Sequence, residues 1–214
     1  MNKENLEIRN NGIVEKREFS DGDRHVEGYA IIFESDSEDM GFIERISRGA
    51  VSQELVDSCD VFALMNHDDE RVLARSNKGH GSLKLTVDER GLKYEFDAAD
   101  TQLGNDLLEY IKRGEIDKSS FCFYVDRSDP DAQKIEKRDG KYYRTINKIS
   151  YIHDVSPVWN PAYSATSVSK RFLQDLEEFK EEEKRMLEEE EEKRKEEAFK
   201  PIEEKLNNML NEFE

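Results

Sequence analysis

Cysteine is scarce in this chain of 214 residues: there are 2, Cys59 and Cys122, far apart in sequence. Two distant thiols make neither a disulfide framework nor a Cys-x-x-Cys pair, so a reduced cytosolic chain is expected. Histidine is nearly as rare, and the 4 present are scattered, with no His-x-x-x-His pair to seat zinc. A metal-dependent hydrolase recruiting His67, Asp68, His80 and His153 is the weaker reading for that reason, and no metal or cofactor is expected. Long apolar runs are also missing. Nothing approaches the roughly 18 to 20 apolar residues that span a bilayer. The opening Met1-Asn2-Lys3-Glu4 has no apolar signal core, so a soluble protein with no membrane partner is expected. Positive charge is the remaining deficit: 33 Lys and Arg against 50 Asp and Glu leave a net charge of −17. Affinity for nucleic acid comes largely from cations that displace counterions from phosphates, so nucleic acid is not an expected partner.

What is present fits one domain of ordinary size plus an appendage. Residues 1–25 read as a polar N-terminal segment that ends in the turn signal Ser20-Asp21-Gly22-Asp23, residues 26–171 as the folded domain, and residues 172–214 as an acidic helical tail. Roughly −7 of the net charge of −17 falls from Lys170 onward. In that tail Phe172, Leu173, Leu176 and Phe179 make a short apolar stripe, and Glu188 to Glu197 has no apolar side chain at all. Pro201 predicts a break, because proline inside a helix removes a hydrogen bond. Beyond it, Ile202, Leu206, Met209 and Phe213 form a second stripe. The tail therefore reads as a solvated helix or as a docking helix for a partner or another copy.

The body reads as α+β, mainly antiparallel β with a few surrounding helices, followed by the extended C-terminal helix. Val26 to Phe33 is β-branched and aromatic, which predicts a strand. Gly41 to Ile46 reads as a further extended piece and Ser52 to Val56 as one short helix. Leu83, Leu85 and Val87, then Asp88-Glu89-Arg90-Gly91, then Leu92, Tyr94 and Phe96 have the alternation of a hairpin with one buried face. Thr101 is a good N-cap for a helix carrying Leu103, Leu107, Leu108 and Ile111, and Gly114 stops it. Long strands are predicted at Phe121 to Val125 and Tyr142 to Val155, with an exposed loop at Asp126 to Gly140 between them.

Three polar positions stand where strand-like runs meet turns: His67 after Val61-Phe62-Ala63-Leu64-Met65-Asn66, Ser120 or its neighbour Ser119 before Phe121, and Asp154 or its neighbour His153. A serine hydroxyl becomes a useful nucleophile when an imidazole takes its proton, and a third group fixes the tautomer of that imidazole. Residue types alone carry little weight, since any chain of this length contains all three. Pro157, Trp159, Pro161 and Tyr163 read as a turn that buries an aromatic side chain.

The surroundings of these candidates add what their types do not. Glu27-Gly28-Tyr29-Ala30 with Phe33, Gly49-Ala50, Ala63-Leu64-Met65-Asn66-His67-Asp68, Leu73-Ala74-Arg75, Asp100-Thr101 with Gly104, Arg113-Gly114, Ser120-Phe121 with Phe123, and Val155-Ser156-Pro157-Val158 with Pro161-Ala162-Tyr163 resemble the prohead maturation proteases of tailed bacteriophages. The blocks follow that family's order and approximate spacing from about Glu27 to Arg171. The resemblance implies a serine endopeptidase with a barrel similar to the herpesvirus assembly proteases. It would be packaged inside the procapsid in the host cytoplasm and would cut scaffold protein, or the scaffolding extension of the major capsid protein, and then itself. It also implies His67 as general base, Ser120 as nucleophile and Asp154 as third member, where the family usually has glutamate. His153 stays open as the alternative, because the herpesvirus enzymes use a histidine there. On a regular strand only one of the two faces His67. Those relatives act as dimers, so a homodimer is a further expectation. On the same resemblance Arg75, which falls in the block Leu73-Ala74-Arg75, is a candidate to support an oxyanion, though a hairpin arginine more often makes a surface ion pair. The competing reading is a non-enzymatic scaffolding or assembly protein, which an acidic helix behind a compact domain would suit.

Overall fold

The computed structural model describes residues 6–15, 22–159 and 170–211. In chain order the strands are β1 (Glu7–Val14), β2 (His25–Ile32), β3 (Ile43–Ile46), β4 (Asp60–Leu64), β5 (Val72–Asn77), β6 (His80–Gly81), β7 (Lys84–Val87), β8 (Gly91–Asp97), β9 (Lys118–Tyr124), β10 (Gln133–Arg138), β11 (Lys141–Ile146) and β12 (Tyr151–Val158). The helices are α1 (Gln53–Ser58), α2 (Gln102–Arg113) and α3 (Lys170–Asn211). By contacts the chain divides into two units, Met1–Lys170 and Arg171–Glu214.

Nine strands form one sheet in the order β6-β5-β4-β12-β9-β1-β2-β8-β7. Neighbours run antiparallel except β4 and β12, which are parallel. The first and last strands of that order, β6 and β7, are separated in the chain only by Ser82 and Leu83. The Leu83 N–H also donates to the Arg75 carbonyl at 3.1 Å. A sheet whose two edges lie that close in the chain has to curl, and the result is a nearly closed barrel. Alternate residues of its strands fill the interior, among them Val61, Ala63, Leu92, Tyr94, Phe121, Phe123 and Val155. The fold is therefore the α+β barrel that the family resemblance implies, with the mostly β body that the hydrophobic pattern predicts.

α1 and α2 flank this barrel. Ser52 caps α1 by accepting from the Leu55 N–H, and Gln53 ties α1 to β7 through the Leu85 carbonyl at 3.2 Å and the Val87 N–H at 2.9 Å. Thr101 caps α2 and the left-handed Gly114 ends it. Leu107 and Ile111 are buried, with Leu103 and Leu108 packed partly against the core.

Four local expectations need correction. The N-terminal residues expected to precede the domain supply β1, which lies between β9 and β2 in the middle of the sheet. Its polar sequence hid it, because its buried members include Glu7 and Arg9. The expected loop at Asp126 to Gly140 contains β10, joined to β11 by a two-residue turn in which Asp139 and Gly140 both have positive φ. None of the β10 residues is fully buried, so the strand shows no apolar alternation. The expected strand from Tyr142 to Val155 is two strands: β11 joins the small sheet β10-β11-β3 and β12 joins the barrel, with Asn147 to Ser150 between them. Pro157 lies inside β12, and Trp159 is 44% exposed, resting edge-on against Tyr110, so neither makes the expected buried turn. Pro161 and Tyr163 lie outside the described residues.

α3 runs through Pro201 without the expected break. The position is exposed, so water can take the carbonyl that the missing N–H leaves free. Ion pairs four residues apart line its middle, including Glu191 with Lys195 at 2.7 Å. The side chains of the stripe Ile202, Leu206, Met209 and Phe213 lie outside the described residues.

Candidate active site

β9 carries the serine pair, and strand alternation separates its two members. Ser119 turns inward with Phe121 and Phe123, and its hydroxyl lies 2.6 Å from the Tyr94 hydroxyl. Ser120 lies on the other face with Cys122. Across the ladder Ser120 is paired with Ser156 of β12, so Asp154, two residues before Ser156, shares that face.

His67 reaches the same place by a turn. β4 ends at Leu64, and the chain enters a single 3-10 turn, Met65–His67, in which Asn66 and His67 both take left-handed backbone angles (φ 57 and 59). Two successive non-glycine residues in that region are strained, and Asn and His are among the types that tolerate it best. The Met65 N–H donates to the Arg71 carbonyl at 3.0 Å, which holds the turn against the start of β5. The reversal carries the imidazole over the adjacent strand, β12.

The result is a continuous chain of contacts. His67 Nδ1 lies 2.6 Å from Asp154 Oδ1, and His67 Nε2 lies 2.5 Å from Ser120 Oγ. An ionised carboxylate only accepts, so Nδ1 carries the proton and Nε2 is left facing the hydroxyl. Ser120 and Asp154 are buried, and His67 keeps 15% of its side chain exposed. A hydroxyl so placed can pass its proton to Nε2 while its oxygen attacks a carbonyl carbon.

Regular alternation does not decide between His153 and Asp154, because β12 is not regular there. Its register against β9 steps from Ile152 opposite Phe123 to Asp154 opposite Cys122, a bulge that accommodates one extra residue. The two side chains part company all the same. Asp154 meets His67, whereas His153 packs at 6.0 Å from the Phe62 ring and holds Nε2 3.6 Å from Asp69.

The other candidates lie elsewhere. Arg75 makes a two-pronged pair with Asp60, at 2.7 and 2.6 Å, and lies over the Phe62 ring. This is the surface ion pair that a hairpin arginine usually makes. His80 is exposed on β6. Among the described residues the one group with metal-ligand proximity is His25, Glu27 and Glu95, which includes none of the histidines near the serine. Its carboxylates are already met by Lys93 at 2.7 Å and Lys84 at 3.1 Å, so it reads as a surface ion-pair ladder.

Three features of the site are not evident from the motif residues. Ser156 Oγ donates to Asp154 Oδ1 at 2.5 Å, giving the carboxylate oxygen a second donor beside His67. Its position two residues along the same strand is the signal that could have found it. Burial, followed by the charge of Asp154, pushes the Cys122 thiol up and keeps it protonated. Finally, Ser120 Oγ lies 3.0 Å from the main-chain carbonyl of Arg9 in β1.

Arg9 belongs to a buried cluster of four charges. Its guanidinium meets Glu44 of β3 at 2.5 and 3.0 Å and Glu7 at 2.7 Å. Arg144 of β11 meets the same two carboxylates at 2.5 to 2.9 Å and also bonds Gln133. Burial alone would raise the Glu7 carboxyl, but Arg144 and Arg9 outweigh it and hold the pKa down to about 2. The cluster joins the three-stranded sheet to the middle of the barrel, one strand from Ser120.

Comparison with solved structures finds the bacteriophage T4 capsid assembly protease, gp21, at 12% identity and a TM-score of 0.47, covering 72% of this chain and 98% of that one. Comparison with curated proteins finds no match. The family model of the caudovirus prohead serine protease matches residues 10–182, which take in β2 to β12 and the candidate site, and the chain belongs to that family.

Proposed function

We propose that Ser120 is the nucleophile of this prohead protease, His67 its general base, and Asp154 the group that orients the imidazole and stabilises its charged form. The observation that carries the assignment is the unbroken contact chain Asp154, His67, Ser120. Ser120 Oγ attacks the scissile carbonyl carbon as its proton moves to Nε2. The tetrahedral intermediate collapses as Nε2 returns that proton to the departing amine, and water then releases the acyl group by the same route. The substrates we assign are the scaffold protein, or the scaffolding extension of the major capsid protein, and then the protease itself, inside the procapsid in the host cytoplasm. Membership of the prohead protease family supports this choice.

The test is co-expression of the major capsid or scaffold protein with wild type, Ser120→Ala or Ser119→Ala, followed by the masses of the fragments. Cleavage by wild type and Ser119→Ala but not by Ser120→Ala is expected. Ser119 bonds only Tyr94 in this region, and its loss costs about 1 kcal/mol of stability. Cleavage that survives Ser120→Ala overturns the assignment of the nucleophile. No cleavage by wild type favours the scaffolding reading.

A second role belongs to α3. Its charged middle leaves Met186, Leu187 and Phe199 largely exposed, which supports a helix that meets a partner in the assembling shell while the barrel does the chemistry.

A further inference from the structure

β1 is the strand that the sequence pattern conceals, and its irregularity falls beside the nucleophile. Its pairing with β9 runs in step from Glu7 opposite Phe123 to Arg9 opposite Phe121, then slips so that Gly12 stands opposite Ser119. One extra residue of β1 is therefore inserted where Ser120 would have its ladder partner. Gly12 is required by this arrangement, since a Cβ there would come within 2.1 Å of the Tyr29 carbonyl oxygen and 2.9 Å of Ser119 Cβ. At the start of the slip the Arg9 carbonyl oxygen lies 3.0 Å from Ser120 Oγ, a second acceptor beside His67 Nε2 for its single hydroxyl proton.

Ser120 Oγ thus has two neighbours that fix where it points, the Arg9 carbonyl and His67 Nε2. A serine side chain has three staggered positions about its Cα–Cβ bond, and contact with both groups selects one of them. The Arg9 backbone is itself held by its side chain, which is clamped by Glu7 and Glu44 and lies 5.8 Å from the centre of the Phe123 ring. Burying four charges is a poor way to gain stability, because desolvation consumes most of the attraction; fixing one geometry is a better-attested use.

We propose that Arg9 is a positioning residue for the nucleophile: the buried cluster with Glu7, Glu44 and Arg144 holds the Arg9 carbonyl against Ser120 and keeps Oγ directed at His67. The inference rests on the reading of Ser120 as nucleophile. It assigns the N-terminal strand and the small sheet a part in the chemistry, although neither contributes a member of the Asp154, His67, Ser120 chain.

The experiment compares full-length wild type with Arg9→Met and Glu44→Gln. Glu44→Gln keeps the side-chain size and serves if Arg9→Met folds poorly. Leu107→Ala, which opens the core beneath α2 and leaves the charge cluster intact, controls for lost stability, and melting is recorded for all four proteins. The readouts are the rate of covalent labelling by a fluorophosphonate, which reports the serine directly, and kcat and KM on a peptide spanning a mapped cleavage site. Loosening Arg9 is expected to slow labelling and lower kcat by about ten- to a hundredfold, the scale set by misplacing a reacting group by an ångström, with KM within about twofold. Leu107→Ala, assayed below its melting point, is expected to label at close to the wild-type rate. Folded Arg9→Met and Glu44→Gln proteins that label like wild type, or no more slowly than Leu107→Ala, overturn the proposal. Wild type that shows no labelling dependent on Ser120 overturns the peptidase assignment, and this inference with it.

Discussion

At the scale of single residues, the site is defined by what surrounds one carboxylate. Asp154 is 2% exposed and receives His67 Nδ1 and Ser156 Oγ on the same oxygen. A buried carboxylate is tolerable only when donors replace the water it has lost. Ser156→Ala removes one of them. A hydrogen bond to a charged group contributes ~1.5–3 kcal/mol, so kcat is expected to fall by at least about tenfold with KM unchanged, checked by steady-state kinetics on a peptide. The two neighbours in the β12 bulge should behave very differently. Asp154→Asn leaves the imidazole without its acceptor and is expected to lower kcat on the order of a thousandfold or more. His153→Ala removes a group that meets Phe62 and Asp69 and should change kcat by less than about threefold, within the range of a surface substitution. Comparable losses in both variants would put His153 in the reacting chain.

Among the elements, those with clear periodicity were legible and those defined by charge were not. The hairpin of β7 and β8 and the helix from Thr101 to Gly114 stand where apolar spacing and caps put them. Ser120 and Asp154, expected at strand ends, lie inside β9 and β12, and His67, which closes the apolar run of β4, was visible where it stands. β1 and β10 were not. The first buries Glu7 and Arg9 where an apolar residue would ordinarily sit, and the second buries almost nothing. A pattern of hydrophobic residues cannot report a strand whose inward side chains are charged and paired with partners distant in sequence, Glu44 and Arg144. The same pairing makes β1 sensitive to acid. The Glu7 pKa lies near 2 in the fold against an ordinary 4.5. A depressed pKa contributes stability that is fully present above the unfolded value and is lost as pH falls through the folded one. Glu7→Gln should therefore be less stable than wild type near neutral pH by on the order of 3 kcal/mol, and the gap should close between about pH 4.5 and about pH 2. Urea unfolding of both proteins across that range checks this, and a gap independent of pH would mean that the Glu7 charge is not what holds the strand.

For the molecule as a whole, the chain carries its candidate site in one unit and a large share of its acidic charge in the other. α3 has 42 residues, and at ~1.5 Å per residue it is about 60 Å long, several times what a docking turn needs. Its exposed pairs, such as Glu190 with Arg194 at 3.8 Å and Glu191 with Lys195 at 2.7 Å, contribute only ~0.3–0.5 kcal/mol each. They keep the helix wound and contribute nothing to a barrel whose core already contains Leu107, Phe121 and Phe123. Met186, Leu187 and Phe199, at 61, 58 and 63% exposure, lie beyond residue 182, where the family match ends. Truncation after Glu182 keeps the buried Phe172 and Leu176 and removes all three exposed apolar side chains. If the barrel carries the chemistry and the distal helix carries the address, the truncated protein should cleave a peptide with a kcat within about twofold of wild type, as expected for changes distant from a site and sharing no partners with it. It should also be missing from purified procapsids in which the full chain is found, read by immunoblot of capsids assembled with each form. Normal incorporation of the truncated protein would assign the address to the barrel itself. Loss of peptide cleavage would mean that the distal helix supports the site it was thought only to deliver.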